Sequence, residues 1–200
     1  MNNTKRSAQP LNTVLNILFW LLIARGVFAV GYHCMKLYAL FTDPAALSAE
    51  SGLRIDWLTI KTAESYGLDR NGAISMRLVY LISAAAITAV ACLGIRALKR
   101  VLLPVVNGQP FRSGISAGIV DLGKCAFRLG MVENLSMLAI VILMERHAVL
   151  DALLRNDTAI SISIDPALRP TWFIAAGVLA ILAGVFRRGE ALQTLSDETL

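Results

Sequence analysis

Four long apolar stretches constrain this chain more than any other feature of its sequence. They cover about residues 14–35, 78–95, 126–144 and 172–186. At about 1.5 Å of rise per helical residue, they match a hydrocarbon core of about 30 Å. Hydrophobic residues form 56% of the chain and the mean hydropathy is +0.62, which is rare in soluble domains. The sequence therefore predicts an all-α membrane fold, a four-transmembrane-helix bundle in a single membrane domain of residues 1–200.

The basic residues that abut two of these spans indicate how the chain is oriented. Arg96, Lys99 and Arg100 follow the second span, and Arg187 and Arg188 follow the fourth. Because Lys and Arg beside helix ends favour the cytoplasmic side, we expect a multi-pass protein of the cell's inner (plasma) membrane with both termini in the cytoplasm. The net charge of +5 is spread along such flanks, which argues against direct nucleic-acid binding. This orientation makes residues 96–125 an inner loop and residues 36–77 and 145–171 outer loops.

Each outer loop contains a short stretch in which apolar and polar side chains alternate. One is residues 53–60, and the other is residues 158–164, where Ile160, Ile162 and Ile164 alternate with serines. A period of two is typical of a half-buried strand. Because isolated strands are marginal in water, we expect the two to pair as a small two-stranded β element across the outer mouth of the bundle.

Three charged residues lie in the predicted spans, where burial of a charge is costly. Arg128, near the inner end of the third span, can snorkel to the interface, so a structural role is expected for it. Arg25 is near the middle of the first span and Glu133 lies within the third. We predict an intramembrane ion pair between them that holds these helices together. If Arg25→Gln and Glu133→Gln each left assembly and thermal stability unchanged, this pair would be ruled out. The alternative is a small carrier or channel component in which Glu133 and Asn134 line a hydrated path, although the other spans offer no second acid.

Small residues recur on one face of the fourth span, at Ala176, Ala180 and Gly184, and on the second at Ala85 and Ala89. Such faces let a neighbouring backbone approach closely. They serve either the bundle itself or a homo-oligomer. The first reading is preferred, because a four-helix chain must first pack its own helices.

No catalytic, metal or cofactor site is predicted. Neither a Ser-His-Asp set nor a His-Glu-x-x-His run can be assembled from the sequence, and with only two histidines the options for general-base chemistry are few. His33 and Cys34 end the first span, and Glu145 and His147 follow the third, so a metal site would need those helix ends to meet. Neither helix has the paired i, i+4 ligands of a committed site, and an interfacial histidine is the preferred reading.

Two inner segments carry a family resemblance. Residues 107–111 read Asn-Gly-Gln-Pro-Phe, and residues 185–192 read Val-Phe-Arg-Arg-Gly-Glu-Ala-Leu before a short acidic tail. With the four-span layout, they resemble an uncharacterised family of bacterial four-helix membrane proteins, a domain of unknown function. Its members share an inner Gly-x-Pro-Phe turn and a C-terminal Phe-Arg-Arg-Gly-x-x-Leu motif.

The resemblance implies a protein partner in addition to the lipid bilayer. Genes of such proteins often stand beside one for a small helix-turn-helix regulator of the Cro/CI type. This implies a non-enzymatic membrane protein that senses a signal or restrains the regulator, with an inner-face partner surface. The residues expected on that surface are Asn107, Gly108, Pro110, Phe111, Arg187 and Arg188.

Overall fold

Four long helices dominate the computed structural model, which describes residues 2–42, 54–55, 58–60, 70–107, 114–147, 162–164 and 169–198. They are α1 (Asn2–Thr42), α2 (Arg70–Val106), α3 (Ile115–His147) and α4 (Thr171–Glu198). Each contains a stretch long and apolar enough to cross a membrane. The predicted all-helical membrane architecture with four candidate spans is thereby confirmed.

The helices extend well beyond the predicted spans. With 37 residues, α2 is about 55 Å long, against a hydrocarbon core of about 30 Å. It continues past Arg100 and Pro104, and α3 already begins at Ile115, so most of the predicted inner loop is helical. The physical reason is that Lys and Arg end an apolar run but are themselves good helix formers.

Three short strands lie in the two predicted outer loops: β1 (Arg54–Ile55), β2 (Leu58–Ile60) and β3 (Ile162–Ile164). They pair antiparallel in the order β1-β2-β3. The first loop thus contributes two strands where the sequence predicted one. The two-stranded element with an apolar face over the bundle stays a prediction, because the side chains of these strands lie outside the described part of the chain.

The contacts divide the chain into two compact units. The terminal unit comprises Met1–Gly26, Ala86–Val132 and Arg169–Leu200, and the loop unit comprises Val27–Ala85 and Glu133–Leu168. Each unit contains segments of α1, α2 and α3, whereas α4 belongs to the terminal unit alone.

The core of the terminal unit joins α3 to α4. Ile115, Ile119 and Ala183 are buried there, and Leu179 and Phe186 of α4 pack against them. Because Ile115 and Ile119 are one turn apart at the start of α3, this core lies beyond the predicted third span. Apolar burial therefore continues where the sequence predicted a loop.

Glycines of α3 allow its neighbours to approach closely. A Cβ atom on Gly130 would lie 3.1 Å from the Cβ of Trp172, and one on Gly118 would lie 2.8 Å from a methyl of Val101. The predicted small-residue face of α4 does not have this role throughout, since nothing lies within 4 Å of a Cβ built on Gly184. The close approach of α3 to its neighbours thus depends on its own glycines, and the homo-oligomer stays a prediction.

In the loop unit, a pair of serines connects α2 and α3. The Ser83 and Ser136 hydroxyl oxygens are 2.5 Å apart, and the Ser83 hydroxyl lies 2.6 Å from the Val79 carbonyl oxygen. If Ser83 donates to that carbonyl, Ser136 must donate to Ser83. Met137, the residue that follows Ser136, is buried. The two helices are therefore joined by a hydrogen bond between side chains that sequence reasoning had not singled out.

Candidate functional site

The two predicted intramembrane charges belong to different units. Arg25 is an exposed residue of the terminal unit, and Glu133 is a half-buried residue of the loop unit. The ion pair predicted between them stays a prediction. Asn134, predicted with Glu133 to line a path in the alternative reading, is also half-buried.

Half of the predicted partner surface can be located. Asn107 is exposed at the end of α2, where its N–H donates to the Leu103 carbonyl at 3.2 Å. Arg187 and Arg188 are exposed on α4. These positions leave all three side chains accessible, as a partner surface requires. Three further residues of that surface lie outside the described residues: Gly108, Pro110 and Phe111.

The carboxylate of Glu190, which no sequence pattern singled out, bonds to the start of α3 in the terminal unit. The Ser116 N–H donates to Oε1 of Glu190 at 2.8 Å, and the Ser116 hydroxyl donates to Oε2 at 2.8 Å. Gly114, with φ of 99°, precedes the helix and has no side chain that could cap it. Glu190 of α4 therefore caps the first turn of α3 from another helix, where negative charge is also favoured by the helix dipole.

Four basic residues of α2 and α3 surround a cavity of about 270 Å³ in the terminal unit. One acid, Asp121, also lines it, and its carboxylate lies 3.3 Å from Arg100 Nη1 and 3.6 Å from Lys124 Nζ. These pairs are exposed to solvent, so they stabilise the fold little. One carboxylate against four cations leaves the cavity strongly basic. We call it the basic cavity, and its cations are Arg96, Arg100, Lys124 and Arg128.

Two contacts from α1 position basic side chains of α2. The Arg96 guanidinium lies 5.7 Å from the centroid of the Phe19 ring, within the range of a cation–π interaction. One turn along, Lys99 donates a hydrogen bond to the side-chain oxygen of Asn16. The first contact restricts where Arg96 points, and Arg96 is one of the cations that line the basic cavity.

Sequence reasoning used Arg96 and Arg100 only to orient the chain, and it did not predict that the four cations meet. One available signal was their spacing. Arg96 and Arg100 are four residues apart, as are Lys124 and Arg128, so each pair occupies one face of its helix. Spacing alone could not show that these two faces line the same cavity.

His33 packs against aromatic rings in the loop unit. Its ring stacks on that of Tyr80, with centroids 5.5 Å apart and an interplanar angle of 12°, and meets Tyr32 edge-on. Within residues 2–42, 70–107, 114–147 and 169–198 and the short strands, no group of three His, Cys, Asp or Glu side chains could hold a metal ion. The side chains of Glu145 and His147 lie outside the described residues. The contacts of His33 fit a packing residue.

Comparisons of the chain with protein-family models, curated proteins and solved structures each found no match. The resemblance of residues 107–111 and 185–192 to a four-helix membrane family therefore stays a prediction. The terminal unit contains two arrangements that bear on function and that the sequence did not predict. They are the Glu190 cap and the basic cavity.

Proposed function

We propose that this chain is a non-enzymatic sensory or regulatory protein of the bacterial inner membrane, with both termini in the cytoplasm. In this proposal, the two outer loops receive a signal. The terminal unit binds a small cytoplasmic protein. The partner implied by the family resemblance is a helix-turn-helix regulator of the Cro/CI type.

The observation that supports this function best is an exposed apolar face beyond the predicted end of the fourth span. After Arg188, α4 continues to Glu198, and Leu192 and Leu195 are 69% and 59% exposed there. Three residues apart, they share one side of the helix. Exposed leucines at this spacing are typical of the apolar anchors by which a helix docks into a groove of a partner.

The Glu190 cap orders the segment of α4 that carries these two leucines. Glu190 lies within the same part of α4 as Leu192 and is bonded to Ser116 of α3 through two hydrogen bonds. A helix end that is already ordered loses less conformational entropy when it binds a partner. The cap therefore supports a binding role for this segment over that of a fraying tail.

Co-purification tests the proposal directly. Tagged full-length protein, extracted in mild detergent, should retain the product of an adjacent regulator gene, and Leu192→Asp with Leu195→Asp should abolish the retention. The matched control is Ala191→Asp with Gln193→Asp, which adds the same charge at exposed positions of the same segment. Failure to retain any small DNA-binding protein, or equal loss in both double variants, would contradict the proposal.

The alternative is a small carrier or channel component that uses Glu133 and Asn134. It ranks second because Ser136 in the same stretch of α3 uses its hydroxyl to join Ser83 of α2. Polar residues of this stretch thus contribute to helix packing. Ion flux in proteoliposomes that disappears in Glu133→Gln would favour the alternative.

A further inference from the structure

We propose that the basic cavity binds the headgroup of an anionic phospholipid, whose acyl chain lies in an apolar groove beside it. This site goes beyond the regulatory function above and does not depend on it. All the residues that line the site belong to the terminal unit.

The net positive charge of the basic cavity favours a bound anion. Asp121 supplies one negative charge against the four cations that line the cavity, so an excess of three positive charges remains. Like charges held close together repel, and a phosphate group would relieve this repulsion through charge-assisted hydrogen bonds. Planar guanidinium groups, present here in Arg96, Arg100 and Arg128, suit phosphate oxygens especially well.

The size of the cavity favours a headgroup over a larger metabolite. Its volume of about 270 Å³ lies just below the roughly 300–1,000 Å³ of pockets that enclose small molecules. On α2 its lining runs from Leu93, near the end of the predicted second span, to Arg100 just beyond it, which is the level of lipid headgroups. Basic pockets between transmembrane helices are known to hold anionic headgroups in this position.

The adjoining groove identifies the occupant as a lipid. A second cavity, of about 300 Å³, lies between α3 and α4 and is lined mainly by apolar or small residues. It shares Lys124 and Arg128 with the basic cavity, so the two lie side by side along α3. A charged pocket beside an apolar groove matches the two ends of a phospholipid. The other residues of this apolar groove are Val120, Gly123, Phe127, Ala176 and Ala180.

Native mass spectrometry of the full chain in detergent provides the test. We expect wild-type protein to retain phosphatidylglycerol over phosphatidylcholine with the same acyl chains. Because each basic residue near an anionic lipid contributes roughly fivefold, Arg96→Gln with Arg128→Gln should reduce that preference by about thirtyfold. The control, Arg70→Gln with Arg146→Gln, removes the same charge from exposed positions outside the cavity and should keep it. Equal loss in both double variants would show unspecific attraction and overturn the site.

A second pair of variants tests the groove. Ala180→Phe fills it from an exposed position and should weaken phosphatidylglycerol retention, whereas Val178→Phe, an exposed residue outside the groove, should not. Inorganic phosphate at equal concentration should compete poorly, because it has no acyl chain. If phosphate displaced the lipid as well as added phosphatidylglycerol does, or if Ala180→Phe had no effect, the lipid assignment would be wrong. Unchanged melting temperatures of all four variants confirm that they remain folded.

Discussion

Removal of the Glu190 carboxylate should lower the free energy of unfolding of the terminal unit. Its two hydrogen bonds to Ser116 are both 2.8 Å long and half-buried. Hydrogen bonds to a charged group contribute about 1.5–3 kcal/mol each, and loss of a helix cap costs about 0.5–2 kcal/mol. Since one bond is the cap itself and water reaches the site, we expect Glu190→Ala to cost about 2–3 kcal/mol. Glu190→Gln retains both contacts without the charge and should cost about 1 kcal/mol.

Reversible unfolding in mixed detergent and SDS micelles, followed by circular dichroism, measures these free energies. The matched control is Glu198→Ala, an exposed acid on the same helix, which should change stability by less than about 0.5 kcal/mol. Hydrogen exchange of the first turn of α3 should accelerate in Glu190→Ala. A double-mutant cycle with Ser116→Ala should give a coupling of at least about 0.5 kcal/mol. If Glu190→Ala matched the control, or the two substitutions were additive, the capping role would be refuted.

Two further substitutions test helix contacts. Gly26→Ala should cost about 1–3 kcal/mol in the same unfolding assay, because its Cβ would overlap the Thr88 side chain. Thr88→Ala should restore part of the loss, since it removes the hydroxyl and methyl groups but keeps the Cβ at 2.9 Å. Gly31→Ala, with nothing within 4 Å, should be neutral or stabilising. Ser136→Ala should cost about 0.6 kcal/mol through loss of its hydrogen bond to Ser83, and a cost above about 2 kcal/mol would show that the serine does more than join two helices.

Much of the helical layout could be predicted, whereas the helix ends could not. The apolar run of the second span stops at Ile95, but α2 continues through Lys99 to Val106, since hydropathy detects lipid contact and not backbone hydrogen bonding. The C-terminal tail was likewise predicted as an acidic extension, and it is part of α4 as far as Glu198. These extensions carry the features on which both proposals rest.

The sequence by itself determined that four segments of this chain are built to cross a membrane. Hydropathy is a sum over neighbouring residues, and a backbone in lipid must satisfy its hydrogen bonds within its own helix, so each span is a local property. Only the tertiary structure decided that Glu190 meets Ser116, which is 74 residues away, and that cations of α2 and α3 line one cavity. Spacing assigns a residue to a face of its helix, but which faces meet depends on how glycines such as Gly118 let helices approach.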